Sequence, residues 1–92
     1  MKAATYGWII DQDLIGDGRA NGTAGPAMGL DVPPGEGEPF KIYDGDHILY
    51  ATGRIIGDYS GFEPVDDFAQ ANWGAPFIKY LDASGAWKFI GT

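Results

Sequence analysis

The chain has 92 residues, 45 % of them apolar, including three Trp, five Tyr and five Phe, and thirteen acids against six bases leave a net charge of −7. That length allows one hydrophobic core, hence a single domain over 1–92, and the apolar content is that of a folded chain rather than of a disordered acidic tail. Without cysteine there are no disulfides or thiolate metal sites; no apolar run approaches the roughly 20 residues of a membrane helix; and the charge repels polyanions, so neither direct nucleic acid binding nor membrane association is expected.

Tyr6, Trp8 and Ile10 alternate through Ala4 to Ile10, the period-2 signature of a half-buried strand. From Asp11 to Glu38 that pattern dissolves into closely spaced glycines with Pro26, Pro33 and Pro34, which predicts a long loop. Leu14, Ile15, Met28, Leu30 and Val32 would pin it in places. Asp11 and Gly16 would cap and stop a short helical turn over 11–15.

Two β-rich runs between Phe40 and Ile56 flank Asp44-Gly45-Asp46, which predicts a hairpin. Gly53 in its second arm marks a bulge or a close backbone approach. Glu63 to Ala71 reads as a short helix with Pro64 in its first position, with Asp66 and Asp67 complementing the helix dipole and Val65 and Phe68 facing the core. Pro76 to Leu81 and Ala86 to Ile90, joined across Asp82 to Gly85, form a second hairpin. The expected fold is mostly β: about five antiparallel strands in a rolled or barrel-like sheet, one short helix and a long Gly/Pro-rich loop, with α+β as the alternative.

No catalytic constellation is found. Asp11 to Gly22 begins like a calcium loop but has Ile15 and Gly22 where oxygen ligands belong, so no metal is expected. No glycine run has phosphate-loop or dinucleotide spacing, and Ser60 is one place off a nucleophile elbow. His47 is the sole histidine, and Asp66 and Asp67, adjacent on a helix, diverge by about 100°. No enzyme activity and no cofactor are expected.

Carboxylates dominate what remains: Asp58, Glu63, Asp66 and Asp67 around the helix start, and Asp11, Asp13 and Asp17 opening the long loop, with Asp31, Glu36 and Glu38 further along. Beside Tyr59, Phe62 and Trp73 the first group combines charge with aromatic anchors, as suits a protein partner with a basic groove. Core packing is the competing explanation for the aromatics. Being small, acidic, cysteine-free and without catalytic signature, the chain resembles in general character the anti-CRISPR proteins of phages and prophages. That resemblance implies a non-enzymatic inhibitor whose anionic face stands in for phosphates at the DNA-binding surface of a type I CRISPR surveillance complex. The alternative is a small accessory or structural module whose acidity serves solubility alone. The start Met1-Lys2-Ala3-Ala4-Thr5-Tyr6 has no leader-like apolar region, so a cytoplasmic location in a bacterial host is expected.

Overall fold

Side chains that alternate between two faces mark the longer strands of three sequential strand pairs: β1 (Tyr6–Asp13) and β2 (Ala24–Gly25), β3 (Glu38–Tyr43) and β4 (Leu49–Gly57), and β5 (Phe77–Leu81) and β6 (Trp87–Phe89). The computed structural model describes residues 4–90; Met1, Lys2 and Ala3, on which the expected location partly rests, lie outside them. All strands join one antiparallel sheet in the order β2-β1-β4-β3-β5-β6. The radius of gyration is 12.3 Å, matching the roughly 12 Å of one compact body of this length.

The alternation assigns two faces. One carries the buried side chains Trp8, Ile10, Phe40, Ile42, Ala51, Ile55, Ile78 and Tyr80. Against it packs a helical segment, π-helical over Val65–Ala69 and continuing as α1 (Gln70–Trp73), which adds Val65 and Ala69 to the core. The amide of Gln70 donates to the carbonyl of Val65, five residues back, which is the widened π turn. Asp66 and Asp67 occupy the first turn, and Gly74 ends the segment in the left-handed conformation. Val65 and Phe68 both face the sheet, as their spacing predicts.

Four sequence expectations change. The sheet has six strands rather than about five, because the two-residue β2 pairs with β1 at Trp8 and Ile9. It is open rather than rolled or barrel-like: its edges, β2 and β6, have two and three residues. Edges that short cannot zip together, and the helical segment fills the space that closure would enclose. No helical turn forms over 11–15, because β1 runs through a register shift between Ile10 and Gln12 and stays paired to Asp13. The long loop is pinned in places as expected, but by backbone hydrogen bonds, with the Ile10 amide donating to Thr23 and the Gly22 amide to Ile10, whereas Leu14, Ile15, Met28 and Leu30 are exposed. Gly53 meets both of its expected reasons: it stands beside the register shift of β1, between the Ile10–Gly53 and Gln12–Thr52 pairs, and a Cβ there would collide with the Ile9 carbonyl oxygen and the Phe40 ring.

Candidate functional site

The acids around the helix start do gather at one end of the sheet, where β1 begins and β4 ends. The Asp58 amide donates to the Thr5 carbonyl at 2.9 Å, and Glu63, Asp66 and Asp67 all act on the neighbouring Tyr6 hydroxyl. Glu38 joins them at the start of β3, accepting from the Tyr59 hydroxyl at 2.7 Å. Two of the predicted contact acids are engaged inside the protein. Asp67 accepts from Tyr6 Oη at 2.7 Å and Trp8 Nε1 at 3.0 Å, which fastens the helical segment to β1. Burial and this carboxylate push the Tyr6 hydroxyl up to about 12. Glu63 accepts from the amides of Ser60 and Gly61, each at 2.8 Å, and from Ser60 Oγ at 3.3 Å. Burial raises the Glu63 carboxyl, but those hydrogen bonds outweigh it and hold the group below its ordinary value. Asp58 and Asp66 are exposed.

Asp11, Asp13 and Asp17 lie at the other end of β1 and do not join this cluster. Asp11 and Arg54 form a bidentate pair, with both contacts at 2.8 Å. Asp13 is buried and accepts from the amides of Ile15, Gly16 and Ala20 at 3.1, 2.7 and 3.1 Å. Burial raises its carboxyl; the amides, with the charge of Arg19, prevail and lower it. Its oxygens anchor the loop turn in the stretch whose sequence begins like a calcium loop. Asp17 is exposed with a φ of 54°. Among the predicted aromatic anchors, Tyr59, Phe62 and Trp73 all pack against the core, and Trp73 meets Phe68 and Tyr50 edge-on.

The opposite sheet face divides in two. Over β1 and β4 lies the loop: Arg54 Nη1 donates to the carbonyls of Pro33 and Glu36 at 2.6 and 2.8 Å, and Leu30 lies against Gly7 and Gly57. Over β3, β5 and β6 the outward side chains keep part of their surface in solvent. Lys41 and Tyr43 of β3, Phe77, Lys79 and Leu81 of β5, and Trp87 and Phe89 of β6 share this half, each partly exposed. The exposed His47, in the β3–β4 turn, adds its ring, 5.3 Å from the rings of both Phe77 and Phe89. Tyr43 and Phe89 meet edge-on at 5.4 Å, and Phe77 and Phe89 at 5.9 Å.

Lys41 and Lys79 stand directly opposite each other on β3 and β5. The Lys41 ammonium sits 4.3 Å above the Trp87 ring, and that of Lys79 sits 4.5 Å from Phe89 and 4.9 Å from Tyr43. Neither has a carboxylate partner among the described residues, whose ion pairs are Arg54 with Asp11 and Lys88 with Asp82. Sequence reasoning missed this face, although its signal was present. Once Phe40, Ile42, Ile78 and Tyr80 are assigned inward, the outward alternates should be polar, and Lys41, Tyr43, Phe77, Lys79 and Leu81 are mostly aromatic or lysine.

No cavity of ligand size occurs among the described residues, so both candidate surfaces are open ones. No family model, no curated protein and no solved structure matches this chain.

Proposed function

We propose that this chain is a non-enzymatic binding module whose macromolecular partner docks on the uncovered β3–β5–β6 face. The observation that carries this reading is the Lys41–Lys79 pair. Like charges directly across a sheet destabilise it, by an amount comparable to the roughly 0.2–1 kcal/mol that a favourable pair contributes. In a chain with thirteen acids and six bases, packing alone gives no reason to set two lysines opposite each other without a carboxylate. Contact with the rings offsets part of that cost, at about 0.5–1 kcal/mol for an exposed cation–π pair. A partner that supplies negative charge to both ammoniums accounts for the remainder. The chemistry of reaction is poorly served here: His47 packs on phenyl rings, and Ser60 Oγ donates to Glu63 within a turn.

Affinity capture from a bacterial host, with matched variants, tests the proposal. Lys41→Glu, Lys79→Glu and Trp87→Ala should each lose the partner held by the wild-type chain, whereas Asp58→Lys with Asp66→Lys should retain it. The reverse pattern would move docking to the acidic end.

A second reading is favoured by the gathering of Glu38, Asp58, Glu63, Asp66 and Asp67, none of which forms an ion pair among the described residues. In it the chain is an inhibitor whose acidic end occupies the DNA-binding groove of a type I CRISPR surveillance complex. Asp58 and Asp66 would carry the contact, since Glu63 and Asp67 already accept hydrogen bonds from the protein.

A further inference from the structure

Resting on the first of these readings, we infer that the partner on the uncovered face is single-stranded nucleic acid, bound by base stacking on Tyr43, Phe77, Trp87 and Phe89 and by phosphate contacts from Lys41 and Lys79. The rings extend across three neighbouring strands, about 10 Å at the spacing of a sheet, a span that suits two or three stacked bases. Aromatic platforms of this kind hold single strands because every base has a flat face to offer.

The position of the ammoniums separates this partner from an acidic polypeptide. Each lies over a ring face, at 4.3 to 4.9 Å from the centroid, where a base would stack. A lysine stem has four flexible carbons, so the ammonium can swing to a phosphate and release the ring to the base. An acidic peptide would engage both ammoniums and leave the rings unused. A polymer with one anion and one flat ring per repeat uses both sets of groups together.

The net charge of −7 opposes any polyanion, but screening reduces that opposition beyond about 8 Å at physiological ionic strength. Near the rings, Asp44 directs its carboxylate at the amides of Asp46 and Ile48, at 2.8 and 2.9 Å, rather than toward either lysine. A duplex, whose bases stack on each other, gains nothing from the rings and meets the full repulsion. The face therefore selects short single strands.

Fluorescence anisotropy with labelled oligothymidylate and oligouridylate of eight nucleotides, a duplex of equal length and an octaglutamate peptide tests the inference on the full chain. The wild type should bind both single strands, whose relative affinities report any ribose or deoxyribose preference, and bind the duplex at least about tenfold more weakly. Two phosphate contacts predict a slope near −1.4 for log affinity against log salt, about −0.7 for each contact. Trp87→Ala and Phe89→Ala should each weaken binding at least about fivefold, and Lys41→Glu with Lys79→Glu should abolish it, with folding verified by circular dichroism. Octaglutamate binding that depends on the lysines but not the rings would overturn nucleic acid and leave the docking face standing. So would a wild type that ignores the oligonucleotides while face variants still lose the captured partner. Oligonucleotide binding unchanged by every face variant would overturn both readings.

Discussion

The two faces of the sheet use the same residue types in opposite ways. On the covered face three large aromatics direct a polar atom to a fixed acceptor: Trp8 Nε1 and Tyr6 Oη to Asp67, and Tyr80 Oη to the Gly61 carbonyl at 2.7 Å. On the uncovered half the Trp87 indole and the Tyr43 hydroxyl have no hydrogen-bond partner among the described residues, and an ammonium lies over each ring. Those three are fixed by both packing and a hydrogen bond. Those of the open face are held by contacts that a ligand can exchange.

The largest expected effect separates Trp8 from Trp87. Trp8 is 2 % exposed, so Trp8→Ala should cost about 3–5 kcal/mol, a large part of a small domain's stability. Trp87→Ala should cost about 1 kcal/mol or less, because its ring stays partly in solvent and loses chiefly an exposed cation–π contact. Urea denaturation of both variants measures the gap, and equal losses would remove the distinction between the faces.

Next comes Asp13, which separates the anchored loop from a free one. Asp13→Ala leaves three amides without their charged acceptor and should cost about 1–3 kcal/mol. Hydrogen exchange should then accelerate across 14–23 while the β3–β4 ladder keeps its protection.

Acid and alkali should act through the structural groups of the covered face and the loop. Asp13 and Glu63 titrate below their ordinary values of 3.8 and 4.5, so the unfolded chain binds more protons in that range. Their contribution is complete above about pH 4.5 and is lost as pH falls through the lowered values. For Tyr6 the sign reverses: with its hydroxyl moved from 10.0 to about 12, its contribution is complete below pH 10 and is lost as pH rises toward 12. Denaturation midpoints across pH should lose part of the acid limb in Asp13→Asn and part of the alkaline limb in Tyr6→Phe.

The smallest effect on folding is expected at the lysine pair. Lys41→Glu replaces a like-charge pair with an opposite one and gives up the Trp87 contact, two changes of similar size and opposite sign. Stability should therefore stay within about 0.5 kcal/mol of the wild type while partner capture is lost. A large destabilisation would make the pair a structural feature of the sheet.

Much of the strand content was legible because alternation is a local property. Phe40-Lys41-Ile42-Tyr43 and Phe77-Ile78-Lys79-Tyr80 read as strands with one apolar face each, and Pro64 with Asp66 and Asp67 marked the helical start. The two-residue β2 was illegible, since Ala24-Gly25 carries no periodic signal and is a strand only because Trp8 and Ile9 lie beside it. Four of the five acids in the acidic grouping were legible as well: Asp58, Glu63, Asp66 and Asp67 are near in sequence and remain near in space. That Asp67 would be taken up by Tyr6 and Trp8, some sixty residues away, was not.

By itself the sequence determined that this is one mostly β body with a large acidic excess, because composition and two-residue periodicity act over short stretches of chain. Tertiary structure alone decided which strands become neighbours, and with that which outward side chains meet. Lys41 and Lys79 are separated by 38 positions (79 − 41) yet face each other across β3 and β5. Pairing between distant strands is set by how the whole sheet buries its apolar face against the helical segment, and no local pattern encodes that choice.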